Sequence, residues 1–306
     1  MPLRGAQRVL SVGIGGGGDV VGALATALHA RTLGAEAIVG GITWERRPID
    51  PIPGPRRMDE LTGAEVLNAT VALAGPDTQG PNGVRFAESH MAAHLGERTV
   101  LVDPNPGPKA IAAGLADAAG RLGCDAIALV DVGGDALGHG DEPGLASPLA
   151  DALMLAAARH LPDDLRVVAA VFGAGCDGEL TLTEVMARVA EVAARGGWLG
   201  AMALDAGQAD ALEAAIATVP TEASAMAVRC ARGATGETTI RQGRRTVELS
   251  PVAALTFYFD PLVALDTAAR LADAVVDAPS LEAANAILHR LGVRSELDYE
   301  RDMQRG

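Results

Sequence analysis

Short apolar runs recur along the chain, each ending in glycine, proline or aspartate and each followed by a stretch whose apolar positions keep helical spacing. Residues 8–12, 37–43, 99–102, 126–130 and 167–172 read as buried strands. Helices are expected from residue 20 to about 31, over 109–122, from Ser147-Pro148 to near 161, and from Thr181, whose capping box with Glu184 marks a start, to 195. Residues 70–74 add a strand and 86–95 a short helix carrying His90 and His94. Strand and helix in strict alternation build a parallel sheet. The expected fold is therefore α/β: a Rossmann-like, doubly wound, mostly parallel sheet with helices on both faces.

The pattern loosens toward the end of the chain. Residues 198–204 read as a strand and 209–218 as a helix. Residues 238–241 and 244–249 flank Gln242-Gly243 as a β-hairpin, and a strand at 255–259 ends in Asp260-Pro261. Two helices, 263–275 and 280–291, are expected to close the chain. No linker or low-complexity break interrupts it, so residues 1–306 are expected to form one domain, with 1–205 as the core sheet and 206–306 as a C-terminal elaboration.

The first strand runs into Gly13-Ile14-Gly15-Gly16-Gly17-Gly18-Asp19 and then directly into a helix. Bare glycine backbone reaches positive φ and lets N–H groups approach a ligand, and a helix N-terminus favours an anion. Gly15, Gly16, Gly17, Gly18 and Asp19 are accordingly candidate ligand-binding residues. Close strand–helix packing is the alternative use of the same glycines. Substitution of Gly16 or Gly17 by valine is expected to spare the fold and abolish binding.

The strand-to-helix loops carry the chemistry, whereas the returns at Leu33-Gly34, Leu122-Gly123 and Arg195-Gly196 are short. In open α/β sheets ligands bind at the carboxyl edge of the strands, so functional loading is expected on one rim. Two corners there repeat Asp-Pro-x-Pro-Gly-Pro and a cation, at residues 50–56 and 103–109. Arg56 and Lys109, the only lysine in the chain, would clamp an anion between them. A shared structural way of leaving a strand explains the corners equally well.

Asp131, Asp135, Asp177 and Glu179 lie in two loops after neighbouring strands, and Asp141 and Glu142 stand close by in sequence. Clustered carboxylates hold a cation or titrate in acid–base work. Asp131, Asp135 and Asp177 are candidate metal ligands, and all-oxygen donors favour Mg²⁺ or Mn²⁺ over zinc. Helix caps and Asx-turns are the structural alternative. His139, between glycines, is expected to be exposed and is a candidate general acid or base. Cys176 reads as a small buried thiol, because no His/Asn partner is fixed by sequence.

Composition narrows the partners. A net charge of −14 over 306 residues argues against nucleic acid or an anionic membrane surface. Three cysteines without metal-site spacing suit a reducing cytoplasm, and no signal-type or membrane-length apolar run is present in the sequence. The alanine and arginine bias points to a GC-rich bacterial genome. Self-association into a homo-oligomer is left open.

The glycine run with Asp19-Val20-Val21, Trp44-Glu45-Arg46, the 50–56 corner, Asp131-Val132-Gly133-Gly134-Asp135 and Gly175-Cys176-Asp177-Gly178-Glu179 resembles the archaeal and bacterial family named domain of unknown function 1152. The resemblance spans nearly the whole chain and implies a Rossmann-like domain; it implies no activity. The residues themselves favour a transferase, hydrolase or lyase acting on an anionic small metabolite or nucleotide. In that reading the glycine loop, Arg56 and Lys109 hold the anion, and the acids serve a metal or a proton. An NAD(P)- or flavin-dependent oxidoreductase is the first alternative, since Gly13-x-Gly15-x-x-Gly18 fits the dinucleotide fingerprint and Glu45 stands where a ribose-binding acid belongs. A non-catalytic sensor of a small ligand is the second.

Overall fold

The structure is a computed structural model that describes residues 2–305. The strands are β1 Arg8–Gly13, β2 Glu36–Ile42, β3 Glu65–Val66, β4 Val71–Ala74, β5 Thr99–Val102, β6 Ala126–Val132, β7 Arg166–Phe172, β8 Trp198–Ala203, β9 Gly236–Ile240, β10 Arg245–Leu249 and β11 Leu255–Phe259. The helices are α1 Asp19–Thr32, α2 Ala87–Leu95, α3 Pro108–Leu122, α4 Pro148–Ala156, α5 Leu182–Ala194, α6 Ala206–Ile216, α7 Ala223–Ala231, α8 Pro261–Leu265, α9 Arg270–Ala274, α10 Leu281–Arg290 and α11 Glu296–Arg305. Among the described residues no helix is long and apolar enough to cross a membrane.

Nine strands form one sheet in the order β3-β4-β5-β2-β1-β6-β7-β11-β8, and β9 and β10 pair apart from it as the expected hairpin. Its centre, β5-β2-β1-β6-β7, is parallel throughout, with Val9 of β1 facing Ala37 on one side and Ala126 on the other. The alternation of side chains along β6 explains why both faces are covered. Ala126, Ala128 and Val130 pack with Val20 and Leu24 of α1, while Ile127 and Leu129 pack with Leu115 of α3 and Leu153 of α4. The Rossmann-like reading is thus the observed architecture.

Three details differ from the sequence reading. First, β4 runs antiparallel to β5, with Val71 opposite Val102, and β11 runs antiparallel between β7 and β8. The polar loop at residues 75–83 and Asp260-Pro261 therefore leave from the opposite edge, so the rim is loaded by fewer strands than expected. Strand direction leaves no mark on a hydrophobic pattern, and only pairing reveals it. Second, the helix expected over 263–275 is split into α8 and α9, where the Thr267 hydroxyl bonds back to the Val263 carbonyl at 2.6 Å. Third, α7 and α11 have no counterpart in the sequence reading.

Candidate functional site

In the parallel centre the chain builds outward from β1 through β2 to β5, then crosses back to β6 and β7. The strand order thus reverses between β1 and β6, and the crevice outside their carboxyl ends is where such sheets bind ligands. The glycine loop forms one wall. Gly16 has a φ of +83°, and a Cβ there would stand 2.6 Å from the Trp44 carbonyl oxygen. Gly16→Val therefore strains the fold itself, contrary to the sequence expectation. The loop's amides are largely committed. Gly17 N–H donates to the Trp44 carbonyl at 3.1 Å, and Gly15 N–H donates to Asp19 Oδ2 at 2.9 Å. The chain thus supplies its own carboxylate where a phosphate would be expected.

Six acids converge on this crevice. Asp19 opens α1, Asp131 lies within β6, Asp135 begins the short 3-10 turn after it, and Asp177 and Glu179 follow β7. Asp151, in the first turn of α4, completes the set. Asp19, Asp131 and Asp151 each bring one oxygen within 4.8 Å of the others, and so do Asp135, Asp177 and Glu179. The backbone makes room for both groups. A Cβ at Gly15 would meet Asp19 Oδ2 at 2.7 Å and Asp151 Oδ2 at 2.9 Å, and a Cβ at Gly133 would meet the Asp177 carboxyl carbon at 2.3 Å.

Compensation is sparse. Asp131 accepts from Gly134 N–H at 3.3 Å and Ala136 N–H at 3.1 Å, and Asp177 accepts from Glu179 N–H at 3.2 Å. Asp151 is 2 % exposed, and its Oδ1 has no hydrogen-bond partner. Burial, aided by Asp19 for Asp131, pushes the carboxyls of Asp19 and Asp131 up to about 7. Burial and neighbouring acids raise Asp135, Asp151 and Asp177 well above the usual carboxylate range. Glu179 is the exception. Burial pulls it upward, but Arg245, 2.9 Å away, and donors from Ala146 and Ser147 hold it below its ordinary value.

The two cations at the crevice are committed to structure. Arg46 donates to the Gly15 carbonyl at 2.6 Å and to Glu296 Oε1 at 3.2 Å, and its guanidinium stacks 4.4 Å above the Trp44 ring. Glu296, from α11, takes the Leu149 and Ala150 amides at 3.1 and 2.9 Å, capping α4 from outside. Ser147, expected as the side-chain cap of that helix, instead donates its hydroxyl to Glu179. The N-terminus of α4 is therefore met by the chain's own Glu296, while Asp19, in the first turn of α1, turns its carboxylate back onto the Gly15 amide. What the crevice lacks is positive charge not already paired within the chain.

The two proline-rich corners do share the rim, for Asn105 Nδ2 of the second donates to the Pro55 carbonyl of the first at 3.2 Å. They do not form a clamp. The Arg56 guanidinium is buried against the Ile52, Pro53 and Gly54 carbonyls and the Asp50 carboxylate, so it fastens its own corner. Lys109 stands exposed in the first turn of α3. Both corners instead seat the C-terminal helices: Glu300 of α11 accepts from Gly54 N–H at 2.8 Å, and Leu281 N–H of α10 donates to the Asn105 carbonyl at 2.9 Å.

Other candidates are turned away from the crevice. His139 is not exposed as expected: its side chain is 6 % exposed and its Nε2 lies 3.1 Å from Glu191 Oε2. Burial and Arg188 lower its basicity. Glu142 pairs with Arg188 at 2.9 Å and Asp141 faces solvent, so neither joins the six acids. Glu45 is buried and accepts from Ala87 N–H at 2.5 Å, leaving it unavailable to a ribose, and burial pushes it up to about 7. Beside it Glu88 is fully buried with neither oxygen partnered, and burial with the Glu45 charge raises it well above the usual range. Cys176 is buried, as expected.

Sequence reasoning missed Asp151, Glu296 and Arg245. Asp151 did leave a signal, as the only charge in an otherwise apolar helix. Glu296 and Arg245 left none, because their roles arise from chain segments far away in sequence. No curated protein matches the chain. The family model described as protein of unknown function (DUF1152) matches residues 10–304, and with nearly its whole length covered the chain belongs to that family.

Proposed function

We propose that the protein is a divalent-cation-dependent enzyme of the hydrolase, transferase or lyase type, acting on an anionic small metabolite or nucleotide at the β1/β6 crevice. The observation that carries this reading is the buried Asp151, whose Oδ1 is unpartnered and whose carboxylate is grouped with those of Asp19 and Asp131. An uncompensated buried carboxylate is costly unless a proton or a cation meets it. The donor set is all oxygen, which fits Mg²⁺ or Mn²⁺. Asp19, Asp131 and Asp151 would hold the ion, which would supply Lewis-acid polarisation of a phosphate or carboxylate group. Asp135 and Asp177, whose carboxyls burial and neighbouring acids hold well above the usual carboxylate range, are suited to give or take a proton at their carboxyl oxygens. Lys109, exposed on the same rim, is free to meet the outer part of the anion.

The strand order would also suit a dinucleotide. Against that, the Asp19 carboxylate occupies the Gly15 amide and Glu45 is committed to Ala87. Calorimetric titration with a panel of nucleotides, sugar phosphates, carboxylates and NAD(P) decides between them. Anion binding that requires Mg²⁺ or Mn²⁺ and disappears with chelator is expected. NAD(P) binding indifferent to divalent ions would overturn the reading.

A further inference from the structure

The β9–β10 hairpin pairs apart from the main sheet, yet its first β10 residue, Arg245, reaches the crevice. Ile240, Val247 and Leu249 bury the hairpin against Ala227 and Cys230 of α7. Gly178, at a φ of +73°, lets it lie on the loop after β7, since a Cβ there would stand 3.1 Å from Arg245 Cβ and 3.2 Å from Val247 Cγ1. At the hairpin turn Arg241 N–H donates to Glu222 Oε2 at 2.9 Å. The neighbouring Thr221 packs on Gly18, where a Cβ would clash with its Oγ1. The hairpin thus reaches from the Asp177–Glu179 loop toward the glycine loop. Arg245 makes both its contacts through one nitrogen. Nη1 donates to the Asp177 carbonyl at 3.0 Å and lies 2.9 Å from Glu179 Oε1, which accounts for both Nη1 hydrogens. Glu179 is itself fixed by the Ala146 and Ser147 amides at 2.7 and 2.8 Å, so it orients the guanidinium. Nε and Nη2 make no hydrogen bond or ion pair among the described residues and are not sealed from solvent.

We infer that Arg245 is a substrate-binding residue, whose Nε/Nη2 edge receives a carboxylate or phosphate group of the substrate beside the cation at Asp19, Asp131 and Asp151. The assignment rests on the cation reading above. That edge presents two parallel N–H donors, the fork that matches two oxygens of one oxyanion. The roles divide cleanly. Arg245 has its charge already balanced by Glu179, so the divalent ion offsets the charge of the substrate and the fork fixes where its oxyanion lies. A guanidinium held in place before binding loses little freedom when the anion arrives.

Calorimetric titration of the full-length chain with Mn²⁺, and then of the Mn²⁺-loaded chain with inorganic phosphate or with malonate, tests this. Arg245→Lys keeps a cation beside Glu179 but lacks the fork. The variant is expected to bind Mn²⁺ as wild type does, and to bind the anion that wild type prefers at least about tenfold more weakly. If it fails to fold by circular dichroism, Arg245→Gln, which keeps an amide donor for Glu179, takes its place with the same expectation. Preference for phosphate or for malonate in wild type, lost with the fork, tells which oxyanion the edge receives. Anion affinity unchanged in the folded variant would make Arg245 a purely structural partner of Glu179 and overturn the assignment, leaving the cation reading standing. Wild type that binds Mn²⁺ but neither anion would do the same. Anion binding that depends on Arg245 but not on Mn²⁺ would uphold Arg245 and overturn the cation reading.

Discussion

At the scale of single residues, Asp151 is the most informative position. Its carboxylate sits on an apolar helix against two other acids, with one oxygen unpartnered. In Asp151→Asn the amide can donate to Asp19 or Asp131, where a carboxylate can only repel them. The variant without added metal is therefore expected to gain roughly 1–3 kcal/mol at pH 8, read by urea unfolding. A loss of that size would show that the charge is already compensated. The titration of the crevice has a definite sign as well. Asp19 and Asp131 stand at about 7 in the folded chain, against roughly 3.9 for an unfolded aspartate. Between those values the folded state binds more protons, so these two groups contribute a stability that falls as pH rises from about 4 to about 7 and then levels off. Wild type minus Asp131→Asn in unfolding free energy should therefore decline across that window. A flat difference would remove Asp131 from the set of raised acids.

At the scale of elements, α11 determines much of the crevice wall. Glu296 caps α4 and pairs with Arg46, while Glu300 accepts from Trp44 Nε1 at 3.1 Å and from the Gly54 amide. Glu296→Gln keeps the shape but removes the charge that meets both a helix N-terminus and a guanidinium. Chemical unfolding should register a loss of about 1–3 kcal/mol; an unchanged midpoint and slope would mean that α11 does not bear on α4. This element shows where the sequence stops being legible. The strands of the parallel centre were readable because each is an unbroken apolar run, and the glycine loop because its composition is extreme. In α11 only Glu296, Leu297 and Glu300 are buried, so one leucine is the whole apolar signal. The Asp131, Asp135, Asp177 and Glu179 cluster was legible because its members sit in adjacent strand-end loops. Arg56 misled, because a cation in a corner looks the same whether its guanidinium faces a ligand or its own carbonyls.

At the scale of the whole molecule, the doubly wound order brings carboxylates from the ends of two parallel strands and from two helices to one crevice in a chain that already carries a net charge of −14. The α4 N-terminus and the Gly15 amide of the glycine loop, which could have received an anion, are met by the chain's own Glu296 and Asp19. A crevice that needs a divalent cation is stabilised by one, because a ligand that binds only the folded chain raises its unfolding temperature. The most direct measurement is thermal unfolding of the full chain at pH 7.5 with chelator, then with millimolar Mg²⁺ or Mn²⁺, in wild type and Asp151→Asn. A rise of several degrees with the cation in wild type, largely lost in the variant, is the expected result. An unfolding temperature unmoved by either cation, or moved equally in the variant, would contradict the account.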